Sequence, residues 1–362
     1  MAKINIDLCG MKLKNPIMPA AGPNVKDGEM CKKSIEGGAG AVVTKTISLL
    51  PADVPRPCMA EIKGGFLNTE LWSELSKEQW VEKEYKIAKE AGEPVIISMG
   101  YTEEQIREVA PLVKPFADAV ELSTHYVGTD VTPIVRALKA AKEVLDVPVF
   151  MKMSPHTDIQ KIAKAVEEAG ADGLLMMNSY GPCMGIDVKT GYPIMGSQKG
   201  YGWLSGAAIK PIAVRCIYDV AQVVDIPIIG VGGVTNGLDA AEMIMAGASA
   251  VQVCTEAILK GPGVYGKIAE ELNDFLDEYG YDDVAQIKGL THKKMADRNF
   301  RTHSIPAYVD NDKCISCGIC KKLCPYEAIT IEDKLVIDEE KCFGCGLCVS
   351  KCPKGALGIS LK

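Results

Sequence analysis

The sequence predicts an α/β chain, a (β/α)8 barrel with a small cysteine-rich domain behind it. Three observations predict this. Eight short apolar, β-rich runs recur over residues 1–280, each followed by or leading into a stretch of helical period. Continuous apolar strands alternating with helices imply a parallel sheet covered on its outside, and eight such units are the count of a closed barrel. Eight of the fourteen cysteines fall within residues 311–362, in two copies of one spacing. The competing arrangement, a doubly wound open sheet, is disfavoured because no G-x-G-x-x-G follows the first run.

The strands, in order, are "NPIMPAA" from Asn15, "AGAVVTK" from Ala39, "PVIISMG" from Pro94 and "ADAVELS" from Ala117. Then come "PVFMKMS" from Pro148, "ADGLLMMN" from Ala171, "PIIGVGG" from Pro227 and "AVQVCTE" from Ala250. Helices are read in stretches such as "TDIQKIAKAVEEAG" and "LDAAEMIMAGA". Two connections are long, from Thr46 to about Glu93 and from Ser179 to about Asp225. Loops of that length inside a barrel act as lids or insertions, and both follow strand C-terminal ends, where barrel enzymes keep their chemistry. The organisation expected is a barrel over 1–280, a polar, basic linker over 281–310 and a cysteine domain over 311–362.

Each cysteine grid reads C-x2-C-x2-C-x3-C-P. The first is Cys314, Cys317, Cys320 and Cys324; the second is Cys342, Cys345, Cys348 and Cys352. This is the bacterial ferredoxin run, whose fourth cysteine ligates the other cluster. One [4Fe–4S] cluster is therefore assigned to Cys314, Cys317, Cys320 and Cys352, and a second to Cys342, Cys345, Cys348 and Cys324. A zinc site would need only four ligands and leaves the doubled spacing unexplained. Gly318, Gly344 and Gly346 let the chain wrap closely. "AITIEDKLVIDEEKC" between the grids reads as a short hairpin, completing a small ferredoxin-like 2×[4Fe–4S] domain.

Composition narrows the function. A net charge of −7 gives no reason to expect nucleic acid. No apolar run reaches membrane-spanning length, and the N-terminus lacks the pattern of an export signal. Metal-bound cysteines then fit a reducing cytoplasm better than disulfides do. The scattered cysteines (Cys9, Cys31, Cys58, Cys183, Cys216, Cys254) read chiefly as small buried apolar residues.

Chemistry gathers at the strand ends. Lys45 ends the second strand, Lys152 lies inside the fifth and Asn178 ends the sixth. "GVGG" ends the seventh, and Cys254 and Thr255 end the eighth. A lysine in an apolar strand is costly unless its charge meets an anion, either a ligand or a core carboxylate. Glycines after the last strands are the usual phosphate seat of such barrels, here Gly206, Gly232, Gly233 and Thr255. The pattern suits a phosphorylated cofactor whose ring becomes anionic, such as FMN.

Together "NPIMPAAGP", "VVTK", "GGFLN", "FMKMSP", "MMNS", "LSGAAIKPIA", "GVGGV" and "QVCTEAI" resemble, in order and over residues 1 to about 290, the dihydroorotate dehydrogenase superfamily. The pattern is closest to the FMN barrel of dihydropyrimidine dehydrogenases, which also carry a C-terminal pair of [4Fe–4S] clusters. The resemblance implies non-covalent FMN, with Ala20, Ala21 and Gly22 against its ring and Cys254 at the same mouth. It places Lys45 at flavin or substrate, and Lys152 where the reduced ring carries negative charge. Asn68, Asn178 and Ser179 would face substrate, Asn178 also flavin. One stretch departs. Where the family has a sequence like "ELNxSCPN", with its proton-carrying cysteine or serine, this chain has "ELSTHYVGTD". Ser123 replaces the asparagine and Tyr126 the cysteine, with His125 beside it. Imidazole and phenol can both carry a proton, so His125 and Tyr126 become the expected catalytic pair, ahead of Cys58 and Cys183 in the long loops. Their other reading is that they only shape the pocket. The departure leaves the substrate open between a pyrimidine and another unsaturated carbonyl compound.

The function expected is an FMN- and iron–sulfur-dependent oxidoreductase acting on a C=C/CH–CH bond conjugated to a carbonyl. FMN stores two electrons and each cluster passes one, so the tail connects an external one-electron source to two-electron chemistry. A ferredoxin or an NAD(P)H-oxidising flavoprotein subunit is the expected partner, in a homo- or hetero-oligomer. The alternative is an electron-relay subunit that turns over no small substrate.

Overall fold

The computed structural model of the chain describes residues 1–124, 128 and 130–360. It divides into two units, Met1–His292 and Lys293–Lys362. Among the described residues no helix is long and apolar enough to cross a membrane.

The first unit is the barrel. Its strands are β1 (Ile17–Pro19), β2 (Val42–Val43), β3 (Val95–Met99) and β4 (Ala119–Ser123), followed by β5 (Val149–Met153), β6 (Gly173–Met176), β7 (Ile228–Val231) and β8 (Ala250–Val253). Each falls in one of the eight expected runs. They pair in parallel in the order β1-β8-β7-β6-β5-β4-β3-β2. The ring closes where Gly40 N donates to Ile17 O at 2.7 Å. The outer layer comprises α1 (Gly28–Glu36), α2 (Tyr85–Lys89), α3 (Glu103–Val113), α4 (Thr132–Lys142), α5 (Ile159–Glu168), α6 (Lys210–Val220), α7 (Gly237–Ala246) and α8 (Val264–Glu278). Side-chain oxygens start these helices as the sequence allows: Asp27 accepts from Met30 N, and Thr102 and Gln105 form a reciprocal capping box.

Strand parity sorts the core into two layers. Ile97, Val120, Met151, Leu174, Ile228 and Val251 pack outward against the helices. Ile96, Ala119, Phe150, Leu175, Ile229 and Ala250 fill the barrel. The hairpin Ile6–Leu8/Met11–Leu13 joins that inner cluster through Leu8, Met11 and Leu13. One step further along the same inward parity come Ser98, Glu121, Lys152 and Gln252, all buried. The barrel's interior is therefore apolar in one layer and charged in the next.

Both long connections are structured, and they meet. Met59–Ile62 and Gly65–Asn68 from the first pair antiparallel with Tyr201–Ser205 and Tyr180–Met184 from the second, in one four-stranded sheet. Trp203 lies opposite Asn68 in its register. Of the span expected as a linker, residues up to His292 belong to the first unit: Val284 N donates to Lys3 O and Gly289 N to Ile244 O. Tyr308–Val309 belongs to the second, paired with Leu357–Gly358.

The second unit has the expected hairpin, Ile329–Ile331 with Leu335–Ile337. Two short helices, Ile319–Leu323 and Leu347–Ser350, each start from a left-handed glycine, Gly318 at φ 76° and Gly346 at φ 77°. A side chain there would be strained.

Candidate active site

A cavity of about 310 Å³ opens at the C-terminal ends of the barrel strands, bounded by the antiparallel sheet. It falls at the lower end of the range of small-molecule sites, roughly 300–1,000 Å³. Every described residue named for cofactor or substrate lines it: Ala20, Ala21, Gly22, Lys45, Asn68, Ser123, Lys152, Asn178, Ser179, Gly206, Gly232, Gly233, Cys254 and Thr255. His125 and Tyr126 lie outside the described residues. Cys58 and Cys183, the reserve thiols, are not on the cavity wall. Burial and the Glu70 carboxylate push the Cys58 thiol above its ordinary range, and the Cys183 thiol donates to Tyr180 O.

One wall is backbone. Gly206, Gly232 and Gly233 have φ values of 74°, 124° and 80°. A Cβ on Gly233 would stand 2.8 Å from Gly206 O and from Lys210 N, so the two loops approach this closely only because residue 233 is glycine. Thr255 Oγ1 donates to Ser205 Oγ at 3.1 Å beside them. On the opposite side a Cβ on Gly22 would meet Cys254 Sγ at 2.5 Å. The Cys254 thiol faces Asn24 Oδ1, and burial pushes its pKa up to about 11. It is a protonated thiol at neutral pH, which a packing role needs and a nucleophile does not.

The lysines are not unpaired. Lys45 Nζ lies 2.7 Å from Glu70 Oε2, their side chains 3% and 14% exposed. Lys152 Nζ lies 3.7 Å from Glu121 Oε1, at 7% and 0%. Glu121 Oε2 also accepts from Gln252 Nε2 at 2.9 Å, whereas Oε1 has no hydrogen-bond donor. Each lysine thus meets its anion inside the protein. Sequence reading missed Glu70, Glu121 and Gln252. Parity could have found the last two, because each lies two residues beyond an inward-facing alanine. Nothing local marks Glu70. Tyr101 was also missed; it lines the cavity in edge contact with Trp72, and burial raises its pKa to about 12.

Asparagines hold the remaining wall. Asn68 Nδ2 donates to Trp203 O at 3.1 Å across the antiparallel sheet. Asn178 N donates to Met153 O, and its Oδ1 accepts from Ser179 N. Glycine backbone, hydroxyls, amides and two carboxylate-paired lysines thus share one cavity wall.

In the second unit two voids of about 20 Å³ each are lined by cysteine quartets. One holds Cys314, Cys317, Cys320 and Cys352; the other holds Cys324, Cys342, Cys345 and Cys348. Each void takes three cysteines from one grid and the fourth from the other, as the spacing implied. All eight are free thiols. No three of the described His, Cys, Asp or Glu residues are gathered to hold a single metal ion. Ala356 N donates to Cys352 Sγ at 3.3 Å, a backbone contact of the kind that tunes cluster sulfurs.

A protein-family model described as "Dihydroorotate dehydrogenase" matches residues 3–276, and one described as "4Fe-4S dicluster domain" matches residues 300–356. Curated relatives are similar over the larger part of the chain. The "Dihydroorotate dehydrogenase B (NAD(+)), catalytic subunit" of Methanothermobacter thermautotrophicus is 39% identical over 302 residues, covering 80% of this chain and 98% of the relative. The protein of the same description from Methanosarcina mazei is 40% identical over 301 residues, 79% and 94%. That from Pyrococcus furiosus is 37% identical over 303 residues, 80% and 99%.

Proposed function

The chain belongs to the dihydroorotate dehydrogenase family, and from that premise we propose that it interconverts a CH–CH bond and a C=C bond conjugated to a carbonyl, in a dihydropyrimidine or a related cyclic amide. As a member of the family it is an oxidoreductase acting on CH–CH bonds, with FMN and two [4Fe–4S] clusters as cofactors. The observation that carries the reading is the coincidence of the barrel-mouth cavity and the two cysteine-lined voids on one chain.

The cavity fits FMN. The cradle of Gly206, Gly232 and Gly233, with Ser205 and Thr255, suits its phosphate. Ala20, Ala21 and Gly22 leave a flat wall without long side chains. Bound FMN supplies hydride exchange with a substrate carbon and single-electron exchange with the clusters. Lys152 stands at the cavity wall with its Nζ 3.7 Å from Glu121 Oε1, so toward the ring it acts as a hydrogen-bond donor whose charge Glu121 offsets. Asn68, Asn178, Ser123 and Ser179 orient the substrate by hydrogen bonds. In the direction of reduction one substrate carbon receives the hydride and its neighbour a proton; in oxidation both leave. The proton passes through the segment that follows β4 in the sequence, where His125 and Tyr126 stand. The cysteine quartets, each crossing between grids, hold the clusters. Electrons come from a separate protein, a ferredoxin or an NAD(P)H-oxidising flavoprotein subunit.

The test is anaerobic. The protein is reduced fully, then uracil, thymine and orotate are added singly while the oxidised flavin band is followed. Return of that band with one of them supports the reading. A flavin that stays reduced with all three and with a wider panel of unsaturated cyclic amides refutes it.

A further inference from the structure

The charges on the cavity wall select the charge of the substrate. Among the described residues the wall carries two cations, Lys45 and Lys152, and no arginine. Lys152 sits over Glu121, and Lys45 is paired with Glu70. Of the other acids there, Glu256 pairs with Lys260, and Glu61 is exposed at the rim. No described cation is left over on the wall.

The Lys45–Glu70 pair is built. Its members are 25 residues apart in sequence and both mostly buried. The turn that carries Glu70 is held on both sides: Thr69 N donates to Cys58 O at 2.8 Å, Thr69 Oγ1 to Pro55 O at 3.1 Å, and Ser73 N to Thr46 O at 2.7 Å. The last of these bonds ties the turn to the residue after Lys45. Glu70 N donates to Asn68 Oδ1 at 3.3 Å, so the acid and the substrate-facing amide are positioned by the same few residues.

We infer that Glu70 is a specificity-determining residue: it neutralises Lys45, so the site accepts an uncharged ring and excludes one bearing a carboxylate. A carboxylate entering a closed site needs a cation or several free donors to replace its water. Here it would meet a lysine already bound and the Glu70 oxygens beside it, a like-charge contact of the kind that discriminates between ligands. An uncharged cyclic amide needs only neutral donors and acceptors, which Asn68, Asn178, Ser123 and Ser179 provide.

The inference deepens the substrate reading above and rests on it. Uracil and orotate share a ring and differ by one carboxylate, so they separate the two questions. Their binding is read from the perturbation of the oxidised flavin spectrum, which needs no turnover. Wild-type protein is expected to bind uracil at least about tenfold more tightly than orotate, a factor that corresponds to about 1.4 kcal/mol. Glu70→Gln, which frees the Lys45 charge, is expected to gain at least about tenfold in orotate affinity without a like gain for uracil. Orotate binding to wild type as tightly as uracil overturns the inference. So does E70Q with no gain for orotate, whichever ring the wild type prefers. If E70Q is not recovered folded, the wild-type comparison decides. Failure of the redox reading shows separately, as binding without reoxidation of reduced flavin.

Discussion

Lys152 and Glu121 should be coupled strongly enough to measure. Lys152→Met keeps the length of the side chain and deletes its charge. It leaves a fully buried carboxylate with one oxygen, Oε1, that has no hydrogen-bond donor, and breaking a buried pair in this way costs about 3–5 kcal/mol. Glu121→Gln leaves the lysine instead, but that lysine borders the cavity and can reach water, so the cost should be nearer 1–3 kcal/mol, about that of a hydrogen bond to a charged group. Two unit charges at the observed 3.7 Å attract by roughly 4 kcal/mol at an effective dielectric near 20. The double variant should therefore be more stable than the sum of the singles by about 2–4 kcal/mol. The assay is urea unfolding of flavin-depleted protein, so that cofactor binding adds nothing. Tryptophan fluorescence is a clean probe, because Trp72, Trp80 and Trp203 all lie in the first unit. Costs that add to within about 0.5 kcal/mol would refute the reasoning, since the two charges would then be solvated independently.

Other outcomes follow from the same geometry. Asp239 accepts from Lys210 Nζ at 2.6 Å and from Thr235 N at 2.9 Å, beside the glycine loop. Burial alone would raise its pKa, but Lys210 and Thr235 hold its carboxyl below the ordinary value. A depressed carboxyl contributes stability that is present above its unfolded pKa, about 3.9, and lost as pH falls through the folded one. Asp239→Asn should cost about 1–3 kcal/mol at pH 7, and the gap to wild type should close below about pH 4 in thermal melts; a gap that persists in acid refutes the assignment. Cys352→Ser should remove the cluster that shares Cys314, Cys317 and Cys320, lowering bound iron from about eight toward about four atoms per chain. Iron loss confined to the site of Cys342, Cys345 and Cys348 would show that the quartets do not cross. Gly233→Ala forces a Cβ to within 2.8 Å of Gly206 O at a positive φ. It should cost at least about 1 kcal/mol and most of the flavin content, read as the flavin-to-protein absorbance ratio. Full flavin occupancy would separate that loop from the cofactor site.

Much of the site was legible because it lies at strand ends, and strand ends can be counted from the apolar runs. Lys45, Lys152, Asn178, Gly232, Gly233, Cys254 and Thr255 all reach one cavity for that reason. The long connections could be marked as insertions, but not their pairing: Gly65–Asn68 meets Tyr201–Ser205 across more than a hundred residues of sequence, and neither segment carries a mark of the other. The lysines read from the sequence chiefly as cations for a ligand anion, with a core carboxylate as the other reading, and the structure sets a carboxylate of the protein beside each.

The sequence by itself determined the eight-unit barrel and the strand parity, and its cysteine spacing implied the crossed quartets that line the two voids. Each is written in short-range spacing: period two in a strand, 3.6 in a helix, and the fixed steps between thiols around a cluster. Only the tertiary structure decided which carboxylate neutralises which lysine. Barrel closure sets Glu121, Lys152 and Gln252 in one layer although Gln252 is 131 residues from Glu121, and the turn after Asn68 brings Glu70 to Lys45 from 25 residues away. A buried charge is stabilised by what lies within a few ångströms of it, and a chain's order does not give that distance.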